Sequence, residues 1–337
     1  MREGGLKMRA FTNVNPRSLE DAVTQIKLAS QQKQSVAIAG GGSDLLGMVK
    51  DHLVEPDVLV HLRSINGLDK VVEERDQVRI GGLVDLDTVA NHPLIKAKYT
   101  VLAEAAGVVG TPQIRNSGTL AGNVAQRPWC WYYRNAFPCY KNGGNTCFSF
   151  NGENEFHAIF GGGPSFIVHP SDTAPALMAL DAKFRIVGPS GERTLSAADF
   201  FTLPRVNPAK ENALANDEIL TEVILPAARP NTRGTYHKIL DREAWTHAVV
   251  SLALVFEMDG NTCKSARAVL GGVAPIPWRL PKVEAMLAGQ RLTTDLAARA
   301  GELAIEGAQP LAKNKYKLPL TKNVVKRTVL TLGGVAA

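Results

Sequence analysis

Two hydrophobic periods alternate along the first sixty residues. RAFTNVNP, residues 9–16, reads as a short strand, and SLEDAVTQIKLASQ, residues 18–31, carries the spacing of a helix with one apolar face. Ser18 is placed to cap that helix, with Asp21 three residues on. SVAIAG then predicts an apolar strand, GGGSD a glycine turn, LLGMVK an apolar segment and PDVLVHLRSI a second, β-branched strand. Residues 8–63 therefore predict a compact βαβ-like unit.

From 64 to about 226 the texture changes. Alternating strands such as KVVEERDQVRIGGLV, a helical interlude HPLIKAKYTVLAEAAGVVG and glycine-rich turns predict a mostly antiparallel subdomain. Residues 124–165 break it with no periodicity and read as a long loop, a length that in compact domains usually serves a function. LPAARPNTRG, 225–234, has linker composition. Beyond it TYHKIL, HAVVSLALVFEM and SARAVLGGVAP predict three strands, and LPKVEAMLAG and TTDLAARAGELAIEGA two helices, a third α+β module.

A chain of 337 residues with 45% hydrophobic content can bury two or three cores. No stretch approaches the ~18 apolar residues of a membrane helix, and MREGGLKMRAFTNVNPRS lacks the apolar centre of a secretory signal. The 38 basic residues outnumber the 32 acidic ones, but they are scattered. The one basic run, KNKYKLPLTKNVVKR, reads as a solvated face or a surface for an acidic protein partner rather than a nucleic-acid stripe.

Candidate chemistry lies first in glycine. Gly40, Gly41 and Gly42 follow a strand directly, with Ser43 and Asp44 ahead of an apolar stretch. Successive glycines let backbone N–H groups turn inward with no Cβ in the way, which makes an anion cradle. The pattern is neither G-x-G-x-x-G nor a P-loop. A tight turn capped by Asp44 is the plainer reading. Gly118, Thr119, Leu120, Ala121, Gly122 and Asn123 form a second small-residue loop with a hydroxyl and an amide suited to phosphate oxygens.

AGGGSDLL, IRNSGTLAGN, HPSDTAPALMALDA and DEILTEVILP together resemble the FAD-binding medium subunit of molybdenum hydroxylases, over nearly the whole chain. The fold this implies is α+β: a two-subdomain FAD-binding domain of the PCMH (vanillyl-alcohol oxidase-like) type over 8–226, then a CO dehydrogenase flavoprotein-like α+β domain over 232–334. The resemblance places Ala39, Gly40, Gly41, Gly42, Ser43 and Asp44 around the FAD diphosphate, and Gly118 to Asn123 on its second side, with Ala121 where the family usually has glycine. It further implies that Asp172 bonds the flavin's sugar-alcohol chain, that Leu220 and Lys238 flank the isoalloxazine ring, and that Val109 touches the cofactor. A lysine beside the ring would stabilise negative charge on it. His169, before Pro170, reads as a packed, hydrogen-bonding histidine.

Cys130, Cys139 and Cys147 are three of the four cysteines, spaced C-x8-C-x7-C. That is not the C-x2-C knuckle of structural zinc, and no tidy disulfide framework appears. Three uses stay open: ligands of an iron–sulfur cluster, a reduced-thiol group packed with Trp129, Trp131, Tyr132 and Tyr133, or a zinc site with His157. The segment resembles the insertion that carries a 4Fe-4S cluster in one group of aldehyde oxidoreductases. That group commonly has a fourth cysteine where this chain has Ser165, a harder and less acidic donor.

The resemblance implies an oxidoreductase subunit that takes electrons from partner iron–sulfur centres through FAD to an external acceptor, with the catalytic acid or base located elsewhere. The molybdenum cofactor would sit on a large subunit and two 2Fe-2S clusters on a small one, in a heterotrimer or its dimer. Cytoplasmic assembly is expected, with periplasmic export on a partner's twin-arginine signal as the alternative. A stand-alone FAD oxidoreductase and a non-catalytic assembly subunit are the rival readings.

Overall fold

A computed structural model of the chain describes residues 8–243 and 246–335. The first unit is a three-stranded parallel sheet in the order Thr12–Val14, Val58–His61, Val36–Ala39. Ser18 caps the helix Leu19–Gln31 as expected, its Oγ accepting from the Asp21 N–H at 3.0 Å. Ala22, Ile26 and Ala29 press the helix onto Val58 and Val60. Full burial of a side chain such as Ile26 is worth about 1.5–3 kcal/mol.

The second unit is a five-stranded antiparallel sheet: Val71–Glu73, Gln77–Gly81, Ile219–Pro226, Lys183–Gly188, Gly191–Ser196. Its core contains Leu102, Leu177, Phe184 and Phe200. The single helical interlude expected over 92–110 is two helices, Pro93–Lys98 and Thr100–Gly107, because Tyr99 leaves the helical region at φ −136°, ψ 50°. Its hydroxyl donates to the Pro226 carbonyl at 2.8 Å, tying the break to the sheet. Residues 124–165 are mostly irregular, with short turns of helix at Trp131–Arg134 and Tyr140–Asn142.

The third unit is an antiparallel sheet in which Thr232–Ile239, Val250–Asp259, Thr262–Gly271 and Trp278–Arg279 lie in that order, with Gln290–Arg291 pairing at one end. The expected linker shrinks to residues 227–231, since strands occupy both of its ends. The basic run is largely helix Lys317–Gly333, and its basic residues are solvated as expected, Lys313, Lys315 and Arg327 exposed and Lys322 and Lys326 half-buried, with one exception: Lys317 is wholly buried, on the face that carries Val324, Val325 and Val329 inward. Lys317 Nζ donates to the carbonyls of Gly272 (2.7 Å), Phe156 (3.0 Å) and His157 (3.2 Å). Burial pulls its pKa down to about 7.

Candidate cofactor cavity and thiol site

The two glycine loops meet. A Cβ on Gly41 would lie 1.7 Å from the Ser117 carbonyl oxygen, and one on Gly40 would lie 2.7 Å from Thr119 Oγ1. Gly42 has φ +73°. Only glycine lets the two backbones approach this closely and turn this sharply. Between them opens a cavity of about 330 Å³, within the ~300–1,000 Å³ usual for ligand sites. Ala39 to Asp44 form one side, and Gly118, Thr119, Gly122 and Asn123 another. Bare backbone at a positive-φ turn fits a diphosphate.

The side chains of the second loop mostly serve the protein. Thr119 Oγ1 accepts from the Gly122 N–H at 3.2 Å and so caps the helix Leu120–Ala125. Asn123 Oδ1 accepts from Ser171 Oγ and Thr173 Oγ1, both at 2.6 Å, leaving its NH2 as the end for a ligand. Leu120 and Ala121 face the core instead of the cavity, and the Ala121 methyl sits 3.1 Å from where a Cβ on Gly82 would be. Leu220 is likewise buried in the core away from the cavity wall. Asp44 makes no cap bond with its side chain; it pairs with Arg134 at 2.9 Å.

Asp172, Pro170 and Val109 line the far wall, joined by Thr246 and His247 from the third unit. Asp172 is fixed by buried partners. Lys238 Nζ lies 2.7 Å from its Oδ2, and the Tyr236 hydroxyl donates to its Oδ1 at 2.8 Å. Burial and then the Asp172 carboxylate push the Tyr236 hydroxyl far above its ordinary pKa, keeping it a donor. Lys238 also donates to the Val108 carbonyl at 3.0 Å, and it is Asp172 rather than Lys238 that faces the cavity. His169 is packed, as expected: its ring meets Phe201 edge-on at 4.9 Å, and burial pulls its pKa to about 3.

Reading the sequence alone missed Arg127, Trp129 and His247 as cavity residues. The Trp129 and His247 rings lie 5.4 Å apart across two distant segments, a contact that no local spacing announces.

Cys130, Cys139, Cys147 and Ser165 line a second, smaller cavity of about 10 Å³, the room of about one water. Tyr132 and Tyr133 enclose it, whereas Trp129 and Trp131 are 46% and 64% exposed, so the packed-aromatic alternative holds only for the tyrosines. Cys147 Sγ lies 3.1 Å from Ser149 Oγ, and Cys130 Sγ 3.4 Å from His157 Nε2. Burial pushes the Cys130 thiol up to about 11, so a bound cation is what would draw off its proton. Cys263 is buried separately in the third unit, its thiol donating to the Ser265 carbonyl at 3.3 Å. Among the described residues no three His, Cys, Asp or Glu side chains close around a single metal ion. Three sulfurs and a hydroxyl line one space, a donor set suited to iron or zinc, but the space as it stands has room for about one water.

Residues 9–228 match the FAD binding domain in molybdopterin dehydrogenase, and residues 235–332 the CO dehydrogenase flavoprotein C-terminal domain. The chain is 33% identical to the aldehyde oxidoreductase FAD-binding subunit PaoB of Escherichia coli (strain K12), over 94% of this chain and 96% of that one. It is 27% identical to the carbon monoxide dehydrogenase medium chain of Hydrogenophaga pseudoflava, over 93% and 94%. The fold superposes on a chain of carbon monoxide dehydrogenase from Hydrogenophaga pseudoflava with a TM-score of 0.76, covering 97% of this chain and 98% of that one at 24% identity. With two domain matches that together span most of its length, the chain belongs to the FAD-binding medium subunits of molybdenum hydroxylases.

Proposed function

We propose that this chain holds FAD across the cavity between its glycine loops and relays electrons from iron–sulfur centres of a small partner subunit to an external acceptor. Substrate oxidation takes place at a molybdenum cofactor on a large partner subunit, in a heterotrimer or its dimer assembled in the cytoplasm. The functional split follows a FAD-binding domain over 8–226 and a flavoprotein domain over 232–334.

The observation that carries this reading is the loop contact, where two segments nearly eighty residues apart converge, Gly41 against the Ser117–Gly118 backbone and Gly40 against the Thr119 side chain. In the proposed complex Gly40 to Ser43 offer N–H groups to the diphosphate, the Gly118–Gly122 turn, whose N–H groups at Gly118, Leu120, Ala121 and Gly122 are spent within the protein, closes its second side, Asn123 offers its NH2, and Asp172 accepts from the sugar-alcohol hydroxyls. Lys238 acts on the cofactor through Asp172, holding that carboxylate in place for the sugar-alcohol chain. Bound FAD supplies a carrier that accepts electrons singly and releases them as a pair.

The same proposal gives Cys130, Cys139 and Cys147 to an iron–sulfur cluster, with Ser165 as the non-thiolate corner. Convergence of these four side chains on one cavity supports it, as does the likeness to an aldehyde oxidoreductase subunit. Absorption and EPR spectra of the anaerobically purified protein, with iron counted per flavin, test both halves. Flavin with about four irons supports the full reading, flavin with three indicates an open corner, and a colourless protein after FAD supplementation defeats it.

A further inference from the structure

The cofactor cavity and the thiol cavity share a wall, and Arg134 is its keystone. The guanidinium is 12% exposed and every nitrogen is engaged. Its two terminal nitrogens reach the two carboxylate oxygens of Asp44, NH1 to Oδ1 at 2.9 Å and NH2 to Oδ2 at 3.2 Å. Its Nε donates to the Pro128 carbonyl at 2.9 Å and NH2 also to the Arg127 carbonyl at 3.2 Å. Its plane lies 4.2 Å over the Trp129 ring. One side chain thus clasps the first glycine loop, through Asp44, and the backbone and ring that close the cavity from the cysteine-bearing segment.

Two further links cross the same wall. The Tyr133 hydroxyl, beside the thiols, points at Met48 Sδ on the cofactor side at 3.7 Å. Buried Glu211 pairs with Arg127 on the cofactor side (3.3 Å) and with Lys141 on the thiol side (2.5 Å). The first reaches the glycine loop only through the Met48 N–H, which donates to the Asp44 carbonyl at 3.2 Å, and the second not through its side chains, whereas the largely buried Arg134 grips the Asp44 carboxylate directly, by one hydrogen bond and one ion contact.

We propose that Arg134 is a positioning residue for FAD: by fixing Asp44 and Trp129 it holds the first glycine loop in its binding shape, so cofactor affinity depends on the cysteine-bearing segment. This rests on the FAD reading of the cavity. The latch operates whether or not the thiols carry iron, since none of its contacts runs through a sulfur.

The test titrates the full chain, stripped of flavin, with FAD and follows quenching of flavin fluorescence. Arg134→Gln and Asp44→Asn each weaken binding about tenfold or more, and the double variant is little worse than either single one, as expected of partners in one interaction. Trp131→Ala, an exposed ring on the same short helix, stays within about twofold of wild type. Binding by Arg134→Gln within about twofold of wild type overturns the proposal, as do losses that multiply in the double variant. Should Arg134→Gln fail to fold, Arg134→Lys decides, because lysine keeps the charge but cannot span both carboxylate oxygens; wild-type affinity there overturns it equally. A wild-type chain that does not bind FAD removes the underlying reading, and is told apart because all variants then fail alike.

Discussion

The cofactor cavity and the thiol cavity are neighbours built on opposite plans. The glycine-loop end of the first is backbone in close approach, delivered by the end of a parallel strand and by a helix start that a separate sheet supports. The second is lined by side chains from one stretch, residues 130–167, that belongs to no sheet. A site made of backbone is sensitive to added atoms and indifferent to most side-chain chemistry. A site made of side chains depends on a few named atoms.

Gly41→Val should break the contrast most severely. The new Cβ would meet the Ser117 carbonyl at 1.7 Å, so the loops must part. FAD affinity should fall by roughly a hundredfold or more, the order of several lost hydrogen bonds. Gly47→Ala, with nothing within 4 Å of the added methyl, should retain flavin. Equal flavin content in both purified variants would show that the loop contact is not what binds. Cys130→Ala should do the converse, removing most of the iron per chain while flavin content stays within about twofold of wild type. Iron analysis showing no loss would detach Cys130 from the proposed cluster.

Lys238→Met probes the far wall, where the Lys238–Asp172 pair is only 3% and 4% exposed. Deleting one partner strands a buried carboxylate, at a cost of about 3–5 kcal/mol. Urea unfolding should show that loss and its substantial recovery in Lys238→Met with Asp172→Asn. No recovery would mean that Lys238 stabilises something other than Asp172.

Lys317 gives a pH signature. With its pKa drawn from 10.5 to about 7, it is neutral when folded and charged when unfolded between those values. The unfolded chain then holds the extra proton, so this group's contribution makes stability rise from about pH 7 toward pH 10. Urea midpoints at the two pH values should show a smaller rise, or a steeper fall, in Lys317→Met than in wild type. Parallel shifts would assign the pH dependence elsewhere.

The smallest effect should come from Ala121→Gly. Its methyl packs away from the cavity, so FAD binding should not change and stability should fall by about 1 kcal/mol, the helix-propensity difference. Tighter FAD binding in this variant would put the methyl back on the cofactor's path.

What could be read in the sequence followed the same division. The glycine loops were legible because backbone freedom is written in consecutive residues, and so was the Ser18 cap; Asp172 came from the resemblance. Lys317 alone of the basic run was misjudged, because it reads as one more solvated lysine although it is buried among carbonyls 45 to 161 residues away in sequence. Lys238 and Leu220 could be placed only by resemblance, and the fold sets them behind the wall. Arg134 gave no signal at all, since its meaning lies in a carboxylate 90 residues upstream.

The three-carbonyl grip of Lys317 also sets an order of events during synthesis. Its contact with the His157 carbonyl spans 160 residues, so all of that stretch must have left the ribosome before the anchor exists. Up to that moment the stretch carrying the thiols has no hold on the C-terminal helix. The turn at Phe156 and His157 would therefore close last, and nascent chains stalled before Lys317 should leave it open to proteolysis.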